Sequence, residues 1–166
     1  MQPRLLHIFR NTPFGRETLL GSMHFCARLG LALNVFVPTA KRYLLYFEHD
    51  AVQVDLDATY LRDPDTARDH ALAVAAAEGS HVAGVGAGTP ELIFIESTTE
   101  TAPGLPDVPT DFEYMTCPRV ISDKQSKVGL GHIGSKVRTI LKAAHFPVFI
   151  PSPVVKPWHS VLVPFG

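Results

Sequence analysis

Residues 5–37 read LLHIFRNTPFGRETLLGSMHFCARLGLALNVFV. Leu5 to Phe9 is a short apolar run, closed by Arg10, Asn11, Thr12 and Pro13, and it reads as a buried strand ending in a loop. From about Phe14 to Leu29 the apolar residues Leu19, Leu20, Met23, Cys26, Ala27 and Leu29 recur at helical spacing. Gly30 then supplies the glycine that commonly ends a helix. Leu31 to Val37 is a second strand, closed by Pro38. Strand, helix and strand in so short a span make a βαβ unit, which builds a parallel sheet with a right-handed crossover.

Further along, Tyr43 to Phe47 and Ala51 to Leu56 read as strands, the latter alternating at period two with one wet face. Asp63-Pro64-Asp65 reads as a helix start, and the Ala-rich run to Glu78 as a helix stopped by Gly79. Leu92 to Ile95 (LIFI) is the strongest strand of the middle region. Thr98 to Thr110, with three prolines and a glycine, reads as a loop; Asp111 to Pro118 has no clear pattern. Arg119 to Ser122 reads as closing a short strand. Ser135 to Ala144 is a helix with Val137, Ile140 and Leu141 inward, Phe146 to Ile150 a strand, and Val161 to Val163 one more. The alternation points to an open α/β fold with a mainly parallel sheet. Such sheets bind ligands beyond the C-terminal strand ends, at the topological switch point.

The chain has 166 residues, 46% hydrophobic and 19% charged, with a net charge of -1. A chain of this length buries roughly 70% of its unfolded surface and needs no disulfide or structural metal. Near-neutral charge argues against a nucleic-acid-coating role. No apolar run approaches the roughly 18 residues of a membrane span, and the N-terminus lacks the apolar segment of a signal peptide. A soluble, cytoplasmic protein is expected. Cys26 and Cys117 read as structural thiols. The eight histidines show no close ligand pair, so no metal is expected. The charge is uneven: every acid lies at or before Asp123, and the last 43 residues carry six basic residues and no acid.

Within that basic end lies Val128-Gly-Leu-Gly-His-Ile-Gly-Ser-Lys-Val137. Gly129, Gly131 and Gly134 formally make the dinucleotide fingerprint. That fingerprint must follow a buried strand and precede an acid some 20 residues on. Here Asp123 to Lys127 is polar and no acid follows, so a Rossmann dehydrogenase is disfavoured. A glycine loop before a helix can still take a phosphate on free N–H groups, with Ser135 donating and Lys124 and Lys136 adding charge. The plainer alternative is an ordinary loop with Ser135 as N-cap.

Gly134-Ser-Lys-Val-Arg-Thr-Ile-Leu-Lys-Ala-Ala-His-Phe-Pro-Val-Phe-Ile150 resembles the closing helix and strand of the universal stress protein family. Leu6 to Asn11 is similar to the family's first strand, and Ala27 to Val37 to the end of its first helix and its second strand. Together these cover about half of the chain; Pro38 to Pro118 matches poorly. The resemblance implies a flavodoxin-like three-layer α/β sandwich of the adenine nucleotide-binding type, with a mainly parallel five-stranded sheet. It implies a non-catalytic stress-response role, with ATP, ADP or AMP as ligand and dimerisation. The ligand would lie at Asn11 and Thr12, the strand end at Val37, and Lys124, Gly129, Gly131, Gly134, Ser135 and Lys136. Two positions depart from the family. Its G-x2-G-x9-G-[S/T] motif places glycines where Ile121 and Lys124 stand, and its strand-end acid is Asn11 here. Trp158 to Gly166 resembles the start of another such domain. Residues 1–153 are then one domain, and 154–166 a linker and first strand of a truncated second repeat, free to pair within a dimer or a tandem.

Three readings follow: a nucleotide-binding regulatory module, a degenerate domain with an empty site that works by dimerisation or interaction, and an enzyme of a related nucleotide-handling fold. The third is disfavoured because phosphate chemistry on Mg²⁺ usually needs a carboxylate, and Asp123 is the one nearby.

Overall fold

The computed structural model describes residues 1–10, 15–56, 63–83, 88–119, 121 and 133–151. Five strands form one parallel sheet: β1 (Arg4–Ile8), β2 (Ala32–Phe36), β5 (Leu92–Ile95), β8 (Tyr114–Thr116) and β9 (Val148–Phe149), in the order β5-β2-β1-β8-β9. The parallel five-stranded α/β core expected from the sequence is therefore present. Four more strands form a second, mixed sheet: β3 (Arg42–Tyr46), β4 (Ala51–Asp55), β6 (Thr99–Ala102) and β7 (Leu105–Pro109), in the order β4-β3-β7-β6. The helices are α1 (Gly15–Leu29), α2 (Pro64–Ala83) and α3 (Ser135–Ala143).

Local chemistry explains most boundaries. Gly30 has φ 66°, and the N–H of Leu31 donates to the carbonyl of Cys26 at 3.0 Å, the 6→1 bond of a Schellman stop. At the start of α2, Asp63 Oδ1 accepts from the N–H of Thr66 at 3.0 Å, with Pro64 at the first helical position, where its missing N–H costs nothing. Gly79 does not end α2, which continues to Ala83; a helix tolerates one glycine at a cost of about 1 kcal/mol.

Side chains of β1 alternate between two cores. Leu5 and Phe9 join Leu19, Leu20, Met23, Ala67, Ala71 and Val74 under α1 and α2. Leu6 and Ile8 face Tyr43, Leu45, Val52, Val54 and Val108 of the second sheet, with Val137 and Ile140 of α3. The three layers are thus two helices, the parallel sheet, and a layer made of the second sheet and α3. Leu141, expected inward, is 37% exposed, because α3 offers only the stripe Val137–Ile140 to the core.

The second sheet corrects the reading of Thr98 to Thr110 as a loop: that segment is the β6–β7 hairpin. Pro103-Gly104 turns it, with Gly104 at φ 73°, the Pro-Gly signature of a type II turn. Asp107 is 6% exposed, and its carboxylate accepts from the hydroxyls of Thr99 and Thr101, which hold its pKa below the usual range. The patternless Asp111 to Pro118 contains β8, a central strand paired to β1 and β9. Arg119 and Ile121, read as part of a strand, lie beyond its end. The expected strand at 161–163 and the division at 153/154 fall outside the described residues.

Candidate functional site

The chain leaves β1 toward β2 on one side, whereas β8 and β9 lie on the other. The switch point therefore falls between β1 and β8, and the crevice beyond their C-terminal ends is where a ligand belongs in such a sheet. Three segments reach it: Phe9 and Arg10 after β1, Cys117 to Arg119 with Ile121 after β8, and the N-terminus of α3.

Arg10 is 8% exposed, and its Nη2 donates to the carbonyl of Ile121 at 3.5 Å. Its charge acts on Cys117 and Tyr43, favouring their ionised forms. Burial outweighs it: the Cys117 thiol is pushed up to about 12, and the Tyr43 hydroxyl is raised as well. A buried cation at the switch point is suited to an anion. Cys117 is a neutral thiol rather than a nucleophile, as the structural reading has it, and burial pushes Cys26 up to about 12 too.

Gly134, and not Ser135, is the N-cap of α3, with φ -60° and ψ 153° and no side-chain cap. The N–H of Gly134 donates to the carbonyl of Arg119 at 3.0 Å, so the helix starts against the end of β8. There is no acid in the first turn of α3. Ser135 is exposed and Lys136 half-buried; the Ser135 carbonyl accepts from the hydroxyl of Thr139 at 3.1 Å.

Of the residues the sequence marked for a ligand, Gly134, Ser135 and Lys136 meet at this edge of the sheet. Val37 does not line the crevice: its side chain is 6% exposed and packs in the core under α1 and α2. Asn11, Thr12, Lys124, Gly129 and Gly131 lie outside the described residues. Sequence reasoning passed over Arg10, although an arginine directly after an apolar strand run is a visible signal in a fold that binds ligands at strand ends.

Two other polar groupings are not this site. His7 Nδ1 lies 2.7 Å from Ser22 Oγ, and Ser22 Oγ donates to Thr116 Oγ1 at 2.8 Å. All three residues are at most 2% exposed, and burial lowers the pKa of His7 to about 3. No substrate reaches them, so this network joins α1 to the sheet. A cavity of about 670 Å³ lies at one end of the second sheet, lined by Tyr46, Glu48, Asp107, Asp111 and His145 among others. Asp111 pairs with Arg4 at the start of β1, so this cavity is remote from Arg10. Its carboxylates repel phosphate.

No protein-family model matches the chain, and no curated protein matches it in sequence. A solved structure, a universal stress protein in complex with cAMP, aligns with a TM-score of 0.42 at 13% identity, over 92% of this chain and 98% of that one. That likeness assigns neither family nor ligand. No helix among the described residues is long and apolar enough to cross a membrane.

Proposed function

We propose that this chain is a non-catalytic, universal stress protein-like module of a cytoplasmic stress response, binding ATP, ADP or AMP in the crevice between β1 and β8. The observation that carries the reading is the start of α3. Its N-cap is a glycine without a side-chain cap, its first turn has no acid, and it abuts the end of β8 at the switch point. The first N–H groups of a helix bear partial positive charge and suit a phosphate. Buried Arg10 adds a full charge at the same edge. The buried thiols of Cys26 and Cys117 and the occluded His7–Ser22–Thr116 network favour binding over chemistry.

Calorimetry with ATP, ADP and AMP tests this, after denaturing the purified protein to look for carried-over nucleotide. Micromolar binding is expected. Gly134→Asp should abolish it: the backbone there is open to any residue, and an Asp cap strengthens the helix by a few tenths of a kcal/mol while opposing phosphate. Silence at millimolar nucleotide, with none released on denaturation, overturns the proposal. The second reading, a domain that works by pairing, is favoured by a different feature, the uncharged outer edge of β5.

A further inference from the structure

The cavity at the end of the second sheet, about 670 Å³, falls within the roughly 300–1,000 Å³ of small-molecule sites. It lies where β3 and β7 end side by side, with Tyr46 paired to Pro109. Both residues line it, as does Phe47, and they give it an apolar wall. Glu48, Asp107 and Asp111 bring three carboxylates, and His145 an imidazole. Among the described residues no Lys or Arg lines it.

Asp107 sets the chemistry of this cavity. The residue is 6% exposed, and the hydroxyls of Thr99 and Thr101 donate to its carboxylate. These bonds hold the carboxyl below its usual range, so it is ionised at neutral pH. They bring no positive charge, and among the described residues no Lys, Arg or His pairs with it. A buried charge is costly unless a counter-charge meets it. Tyr46, 43% exposed, is fixed on the rim by the bond between its hydroxyl and Thr101 Oγ1 at 3.1 Å. Glu48, after β3, adds a carboxylate 3.6 Å from His145.

α3 adds to the negative field. His145 follows the C-terminal end of that helix by two residues, so the cavity meets the end whose carbonyls favour a cation. Lys142, in the last turn of α3, does not line it. The carboxylates do not converge on one point: among the described residues no three His, Cys, Asp or Glu side chains are grouped to hold a metal ion. A hard metal ion draws its oxygen ligands into one tight shell. Charge spread around an apolar-walled cavity suits instead a cation that carries an organic body.

We propose that this cavity is a second ligand site, taking a small organic amine in its protonated form, with the ammonium on Asp107 and Glu48 and the apolar body against Tyr46 and Pro109. An ammonium donates charge-assisted hydrogen bonds to carboxylates and is attracted to an aromatic ring. The site is distinct from the crevice between β1 and β8, which meets α3 at its other end, and it needs no nucleotide.

Amide NMR of the nucleotide-free full chain at pH 7 tests this, with benzylammonium chloride as probe and benzyl alcohol as its neutral match. The ammonium should give saturable shifts at Tyr46, Glu48, Asp107 and His145, with a Kd of roughly 1 mM. The alcohol should give none, and neither should magnesium chloride at equal ionic strength. Asp107→Asn should weaken binding about tenfold, and Glu48→Gln, at an exposed side chain, about threefold. Where Asp107→Asn disturbs shifts across the whole spectrum, Tyr46→Leu on the rim replaces it and should cost about threefold. Shifts that do not saturate overturn the proposal, as does equal binding of the alcohol or the same shifts with magnesium. So does unchanged affinity in Glu48→Gln together with Asp107→Asn or its replacement.

Discussion

The two faces of the parallel sheet are covered in different ways. One lies under α1 and α2, crossover helices that directly precede the strands they serve, and its core includes the polar His7–Ser22–Thr116 network. The other lies under a second sheet whose inward side is apolar: Tyr43, Leu45, Val52, Val54 and Val108. The first cover is built from neighbours in sequence. The second needs two hairpins far apart in the chain, since β3 and β7 meet with Leu44 beside Asp107. A face closed by local elements forms from propensity and periodicity. A face closed by distant hairpins depends on contacts that must beat a larger loop-closure entropy.

The largest effect tests whether the second face is an equal part of the core. Leu19 on α1 and Leu45 on β3 are both fully buried. Leu19→Ala and Leu45→Ala should each cost about 3 kcal/mol in urea unfolding, within the range for buried leucines, and each should keep a single transition. A separate early transition in Leu45→Ala would show that the second sheet is an appended layer that melts alone.

The same contrast explains what could be read from the sequence. β1, α1 and β2 were legible because each shows its own period and its own stop, down to Gly30. β3, β4 and β5 were legible as strands for the same reason, but nothing in Tyr43 to Leu56 says that it joins a different sheet. That partition is a tertiary fact. The β6–β7 hairpin was hidden by Pro103, Pro106 and Pro109. Yet two of these prolines sit inside β7, and Pro103 with Gly104 makes the turn. β8 was missed because Tyr114-Met-Thr116 is too short to show a period. At the candidate site, the basic glycine-bearing end marked Gly134 to Lys136, which the fold brings to the sheet edge beside the end of β8. The Val37 side chain is buried because strand alternation sends it into the core under α1 and α2, and the burial of Arg10 was not legible because a charge beside a strand usually marks solvent.

A smaller effect separates the faces by pH. The unfolded chain protonates His7 near its ordinary pKa of about 6.5, whereas the folded chain refuses the proton down to about 3. Between those values the unfolded state binds more protons, so stability is full above the upper value and falls as pH drops, by about 1.4 kcal/mol per pH unit at most. At pH 5 the loss should be about 2 kcal/mol. His7→Asn, which keeps a polar group toward Ser22 but does not titrate, should remove this contribution from a urea-versus-pH series. An unchanged slope would mean that the network opens to water and that the helix-covered face is not the sealed layer described.

The smallest effect probes how tightly that face closes at its far edge. Phe25 of α1 stacks on Phe149 with ring centroids 4.3 Å apart. A Cβ added at Gly21 would lie 2.6 Å from Cβ of Pro151. In an open helix, Gly→Ala gains about 1 kcal/mol from propensity. Overpacking a tight contact typically costs about 1–3 kcal/mol, and the proline ring yields little. Gly21→Ala should therefore lose about 1 kcal/mol net, the balance of these two terms. If it stabilises the protein instead, the chain after β9 stands away from α1 in solution. The helix-covered face would then be closed over β1, β2 and β5 but loose at β9, the strand that follows α3.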